Sequence, residues 1–222
     1  MQKSPVFSLL EASAWKDYEL LDSGDGSKLE RFGKYIFSRP EPQAMWSRAL
    51  PASEWNNVHA VFQASAEESG GHWDFKKEVD EKWVMSYPLP HLNDLKFIAM
   101  TTPGRHLGVF PEVASHWDFM SNSIRKADRQ PNILNLFGYT GLASLAAAAA
   151  GAQVTHVDAS KKSVSWAREN QELSGLNDKP IRWIVEDAVK YVQREAKRGV
   201  KYDGIILDPP KFGRGPKGEV WE

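Results

Sequence analysis

Polar residues close four apolar runs in the second half of the chain: Asn135 in "ILNLF", Asp158 in "VTHVD", Asp187 in "IRWIVED" and Asp208 in "YDGIILD". After the first run comes "FGYTGLASLAAAAAG", where Gly138 and Gly141 bracket Tyr139 and Thr140 ahead of a smooth small-residue stretch. Carboxylates so placed can accept hydrogen bonds from ligand hydroxyls and amines, and glycines let a ligand reach the main chain. A lone glycine turn would signify little, but acids closing three successive runs form a constellation. Asp158 follows Gly138 by 20 residues, the separation at which an acid takes the hydroxyls of an adenosine ribose. The turn has neither the middle glycine that admits a pyrophosphate nor a Walker pattern. An adenosine with a small charged extension and no phosphate fits these features, which describes S-adenosyl-L-methionine.

Such residues need a scaffold that brings strand ends together. Apolar strands alternating with helical stretches predict a parallel, doubly wound α/β sheet of Rossmann-like type, whose ligand lies beyond the carboxyl ends of its strands. Gly138 and Gly141 are expected to supply the backbone angles of a sharp strand-to-helix turn. "LASLAAAAA" is expected to be a slim helix whose positive N-terminal end lies beside the ligand. Before it, "EVASHWDFMSNSIRKA" carries Val113, Trp117, Met120 and Ile124 at helical spacing.

Residues 1–104 have a different texture. Short extended pieces ("KYIFSR", "HAVFQAS", "KWVMSYP", "LKFIAM") lie between Gly, Pro and Asp-Gly signals, predicting a β-rich region. "LLDSGDGSKLERFGKYIF" reads as two strands joined by a loop from Ser23 to Ser27, longer than a tight hairpin turn. Six of the nine tryptophans fall in residues 1–117; packing is expected to use them more than base stacking. The division expected is a β-rich region at 1–104 that helps present substrate and a cofactor-binding domain at 105–222.

Composition narrows the function further. The 222 residues are 41% hydrophobic and 26% charged with net charge −1, which fits a globular protein without a global basic footprint for nucleic acid. Any such contact must be local. There is no signal-peptide pattern, and the longest apolar stretch is too short for a bilayer, so a cytoplasmic protein without membrane association is expected. With no cysteine, these residues hold neither a disulfide nor a thiol nucleophile. Glu112 and His116 are four apart with His106 nearby, but lack a convincing third ligand, and no metal is expected.

The run "LNLFGYTGLASLAAAAAGAQVTHVDASKKSVSWARENQELSGL", with "VEDAVKYVQREAKRGVKYDGIILDPPKF", resembles the class I S-adenosylmethionine-dependent methyltransferases. The resemblance is to the bacterial group that includes the large-subunit ribosomal RNA 5-methylcytosine methyltransferases, and it covers about residues 107–212. It implies that Asn135, Phe137, Gly138, Tyr139, Thr140 and Gly141 hold the methionine part of the cofactor, with Phe110 also binding cofactor. It further implies Asp158 at the ribose hydroxyls, Asp187 with Ala188 at the adenine edge, and Ala159 and Ser160 among the cofactor-binding residues. Asp208, Pro209 and Pro210 would then form the catalytic floor between cofactor and target base, with Asp208 also touching cofactor. One departure is visible: where the related enzymes carry Gly-x-Phe-x-Asp-x-Arg, this chain has "GVFPEVA", with Glu112 for the acid and Ala114 for the arginine.

"DPP" suits methyl transfer, because consecutive prolines make a rigid corner that can present carbonyls and a carboxylate to a flat base. An amino nitrogen needs only such orientation, whereas cytosine C5 needs a cysteine adding at C6. Lys211, Phe212 and Arg214 in "KFGRGPKG" are expected to touch substrate, with Lys211, Arg214 and Lys217 as candidate phosphate clamps or else a solvated loop. The predicted function is methylation of a base in ribosomal or other structured RNA. The alternatives are a non-catalytic adenosine- or RNA-binding module and a methyltransferase for protein or small molecules. Because few residues follow the fourth strand, a domain truncated there, with an apolar strand edge left uncovered, is also expected.

Overall fold

The computed structural model describes residues 9–12, 14–65, 70–210, 213–214 and 220–221. Its first part is a five-stranded sheet of β1 (Tyr18–Gly24), β2 (Ser27–Phe32), β3 (Tyr35–Pro40), β4 (Ala60–Ala64) and β5 (Gly71–Phe75), in that spatial order. All neighbours are antiparallel except β3 and β4, between which α1 (Ala52–Asn56) crosses. The β1–β2 loop is shorter than the sequence reading had it. Gly24 pairs with Ser27, leaving Asp25 (φ 49°) and Gly26 (φ 72°) as a two-residue turn, because positive φ at both positions matches the twist of the strands.

A separate hairpin, β6 (Trp83–Tyr87) and β7 (Leu95–Ala99), leads to α2 (Ala114–Arg125). Then β8 (Asn132–Leu136), α3 (Leu142–Ala149), β9 (Gln153–Asp158), α4 (Lys161–Leu173), β10 (Ile181–Val185), α5 (Ala188–Lys197) and β11 (Gly204–Leu207) alternate as predicted. The four strands are parallel in the order β10-β9-β8-β11. A short pair, β12 (Gly213–Arg214) and β13 (Val220–Trp221), follows.

Alternation along the strands sorts side chains to two faces. Leu134, Leu136 and Val157 pack with Ala188 and Tyr191 of α5, whereas Ile133 and Val154 pack with the alanines of α3 and with Ile124 of α2. Alanines let α3 sit close to the sheet: Ala146, Ala147 and Ala148 are fully buried. One apolar cluster runs from Trp15 and Phe37 through Phe97 and Trp117 to Leu145, so it crosses residue 104 without a break. Trp15, Trp55, Trp83 and Trp117 are buried in the core while Trp46 is exposed, which makes packing the main use of these rings. Beyond β8, β11 has no second partner among the described residues, and its Ile205 and Leu207 are exposed.

The open edge of β7 is covered in another way. Trp166, Asn170 and Ser174 project from one side of α4 and its C-cap at four-residue spacing. Trp166 donates to Ile98 O, Asn170 Oδ1 accepts from Ile98 N, and Ser174 Oγ both accepts from Lys96 N and donates to Lys96 O. A helix thus satisfies backbone groups that would otherwise template another strand.

Candidate cofactor and active site

A cleft of about 1230 Å³ opens at the carboxyl ends of the parallel strands and continues between α2 and β11 to Pro131 and Asp203 at the strands' amino ends. It is lined by Phe110, Asn135, Phe137, Gly138, Tyr139, Thr140, Asp158, Ala159, Ser160, Asp187, Ala188, Asp208, Pro209 and Pro210, all singled out in the sequence. Gly141 is not on its wall. It caps α3 from behind at φ 84°, and a Cβ there would come within 2.7 Å of Ala167 Cβ. Lys211 and Phe212 lie outside the described residues, and Arg214 falls in β12.

The loop after β8 departs from the expectation in an instructive way. Gly138 does not supply a left-handed angle; Phe137 (φ 55°) and Tyr139 (φ 50°) do. What Gly138 requires is space, since a Cβ would lie 2.3 Å from His156 Cε1. Non-glycine residues in that region are strained and persist only where their surroundings over-determine them. Here the surroundings are visible. Tyr139 N donates to Asp158 Oδ2 at 2.8 Å, Gly138 N donates to Val157 O at 3.1 Å, and Thr140 Oγ1 donates to Gly108 O at 2.6 Å. Asn170 Nδ2 donates to Thr140 O at 3.0 Å, tying the loop to α4 and, through it, to β7.

Beneath the loop, Asn135 and His156 are direct neighbours across β8 and β9 on the face that meets α3. Asn135 Nδ2 donates to Ser144 Oγ at 2.9 Å, and Ser144 Oγ lies 3.0 Å from His156 Nδ1. All three residues are buried. The side-chain amide of Asn135 is therefore fixed from below at the cleft floor. Sequence reading missed this relay; the signal was a serine two residues into an otherwise apolar helix and a histidine inside a buried strand.

Asp158 also accepts from Ser160 N at 2.8 Å through Oδ1, and Ser160 Oγ caps α4. Burial raises the Asp158 pKa, and these backbone donors oppose the rise. Each of its oxygens keeps a lone pair for a ligand. Asp187 caps α5 by accepting from Lys190 N at 2.9 Å. Above the loop, the Tyr139 ring meets Phe110 at 5.4 Å, and Phe110 meets His106 at 4.6 Å. Burial, reinforced by Arg39, Arg105 and Lys28, pushes the His106 pKa down to about 4. Burial alone pushes His156 to about 3.

A crystal structure of an S-adenosylmethionine-dependent methyltransferase from Agrobacterium tumefaciens matches all of this architecture. The TM-score is 0.89 at 49% identity, over 100% of this chain and 71% of that one. The chain belongs to the class I S-adenosylmethionine-dependent methyltransferases. The family described as conserved hypothetical protein 95 matches residues 114–215. Among curated relatives, the ribosomal RNA large subunit methyltransferase K/L of Shewanella frigidimarina is 39% identical over 89 residues, which are 40% of this chain and 12% of that protein. The ribosomal RNA large subunit methyltransferase I of Aeromonas salmonicida is 37% identical over 91 residues, 40% of this chain and 23% of that protein. The chain therefore spans less than a third of the length of these curated relatives.

The donor set of this methyltransferase fold suits its cofactor. Glu112, Asp158, Asp187 and Asp208 line the cleft, an acid-rich wall for a ligand bearing a sulfonium and an ammonium group, whereas Asp203, at the opposite end of β11, is held by the Arg129 guanidinium and Asn132 N.

The two depressed imidazoles give a pH signature. Their folded pKa values, about 4 and 3, lie below the roughly 6.5 of an unfolded histidine. Between these values the unfolded chain binds more protons, so stability rises with pH there; it is fully present above 6.5 and is lost as pH falls toward 4 and 3. His59, partly exposed, is shifted the same way. Urea unfolding should show about 1–2 kcal/mol less stability at pH 5.5 than at pH 7.5, allowing for the partial exposure of His106. Equal stability at the two values would mean that these rings are not held neutral.

Proposed function

We propose that the protein transfers a methyl group from S-adenosylmethionine to a base in structured RNA, ribosomal RNA being the substrate class. The observation that carries this is a register. Ile206 pairs with Asn135 and Leu207 with Leu136, so Asp208 follows directly beside Phe137, at the start of the strained loop. The exposed corner Asp208-Pro209-Pro210 then lines the same cleft. The curated relatives named above are ribosomal RNA methyltransferases, which supports the choice of substrate.

In this reading Asp158 takes the ribose hydroxyls, and Asp187 with the backbone of Ala188 takes the adenine edge. Asn135 to Gly141 and Phe110 enclose the methionine part. When bound, the cofactor supplies an electrophilic methyl on a sulfonium. The chain's task is to orient a nucleophile in line and exclude water. Asp208 and the proline carbonyls do this by accepting hydrogens of an amino group on the base. Lys211 and Arg214 contact phosphates, Phe212 contacts the base, and residues 1–104 help present the RNA.

The test supplies tritiated methyl donor with total RNA, protein and metabolite fractions. Label is expected in RNA. Label only in protein or metabolites would reassign the substrate, and label in none would leave a non-catalytic binding module. Nucleoside digestion of the labelled RNA then distinguishes an N-methyl product, reachable without a thiol, from 5-methylcytosine, which requires a cysteine these residues lack.

A further inference from the structure

Among the described residues lining the acid-rich cleft, Arg105 is the sole lysine or arginine. Its guanidinium is exposed and has no hydrogen bond or ion pair among the described residues. It is not carried on a loose loop. Arg39 Nη1 donates to the Arg105 carbonyl at 3.0 Å, and Arg39 is itself buried in a two-point ion pair with Glu30, with both contacts at 2.7 Å. Trp73 Nε1 donates to Thr102 O at 2.8 Å, and Thr102 Oγ1 donates to His106 O at 2.7 Å. The five-stranded sheet therefore braces the backbone of residues 102–106 while leaving the Arg105 side chain unengaged beside the cleft. His106 stays neutral at ordinary pH and adds no charge there.

The cofactor of this family carries two cationic groups, which suit the carboxylates of the wall, and one anion, the α-carboxylate of its methionine moiety. We propose that Arg105 is the residue that receives this carboxylate, and that the N-terminal sheet, through Arg39 and Trp73, holds it in place to do so. A guanidinium and a carboxylate can form two parallel charge-assisted hydrogen bonds. An RNA phosphate is the less suitable occupant, because four carboxylates, those of Glu112, Asp158, Asp187 and Asp208, line the same cleft. Arg105 then acts in selecting the ligand: an adenosine lacking the carboxylate would gain nothing from it. This inference rests on the cofactor assignment and adds a residue to it.

The test uses calorimetry with S-adenosylmethionine and its decarboxylated form, which differ only in that group. The unaltered protein should prefer the complete cofactor by about 10- to 100-fold, the range for a charge-assisted pair. Arg105→Gln should reduce the preference to about 3-fold or less by weakening only the complete cofactor, and Arg105→Lys should restore part of it. Thermal melting of each variant in the absence of ligand should match that of the unaltered protein, since the side chain is exposed. Preference retained in Arg105→Gln, or parallel weakening of both ligands, would overturn the proposal. So would a variant that changes only RNA affinity and its salt dependence, which would reassign Arg105 to phosphate. Failure of the unaltered protein to bind either ligand would instead remove the cofactor reading on which the proposal stands.

Discussion

Asp158→Ala should weaken binding of S-adenosylhomocysteine by about 1.5–3 kcal/mol, roughly 10- to 150-fold, the range for hydrogen bonds to a charged group. Position alone suggests that Asp158 meets the ribose; the geometry explains why the loss should fall toward the upper end. Its two oxygens hold the backbone N–H groups of Tyr139 and Ser160 at 2.8 Å each. Tyr139 sits at φ 50° next to Phe137 at φ 55° one residue away from it across Gly138, a conformation that non-glycine residues leave when released. Removing the carboxylate thus takes away a ligand contact and one of the bonds that keep the loop in its binding shape. Asp158→Asn keeps one acceptor oxygen but turns an amide NH₂ toward the second backbone donor, so it should recover only part of the affinity. Calorimetric titration decides the matter. Unchanged affinity in Asp158→Ala would take the residue out of the ribose site.

The parallel sheet was legible because buried strands read as short apolar runs, and "ILNLF", "VTHVD" and "YDGIILD" became β8, β9 and β11. The acids were legible because strand ends are where an α/β sheet meets ligand. Local chemistry ran out where tertiary contacts overrode it. Nothing in "LFGYTG" says that Phe137 and Tyr139, not Gly138, take positive φ, since that follows from His156 filling the space beneath Gly138 and from Asp158 holding Tyr139. The tight β1–β2 turn did have a local signal, the Asp25-Gly26 dipeptide; the neighbouring Gly24, which belongs to the strand, made the loop look longer. The spacing of Trp166, Asn170 and Ser174 is plain in sequence, but only the packed structure shows that these side chains meet the backbone of β7. Arg105, a single exposed cation before a glycine-bearing loop, carries no pattern at all.

The largest expected loss of stability belongs to Arg39→Ala, at about 3–5 kcal/mol, the cost of removing one partner from a buried ion pair. Glu30 is fully buried and Arg39 is 3% exposed. They sit diagonally across β2 and β3, since Glu30 faces Phe37 and Arg39 faces Lys28 in the register. Without Arg39, the Glu30 carboxylate keeps Tyr18 Oη at 3.0 Å and Lys28 Nζ at 3.7 Å, a partial compensation that favours the lower end of the range. Against a typical total of about 5–15 kcal/mol, the change should be plain in urea unfolding. A loss below about 1 kcal/mol would mean that the pair is solvated. The double variant Glu30→Leu with Arg39→Met tests whether the charges serve the fold or the cleft. Replacing a buried pair by apolar side chains of similar volume is often neutral or stabilising, so most of the lost stability should return. The hydrogen bond from Arg39 to the Arg105 carbonyl does not return with it. The double variant should therefore unfold much like the unaltered protein while discriminating less well between S-adenosylmethionine and its decarboxylated form, because the sheet is intact but the direct bond to the Arg105 carbonyl is gone and only the Trp73 and Thr102 contacts still hold the segment.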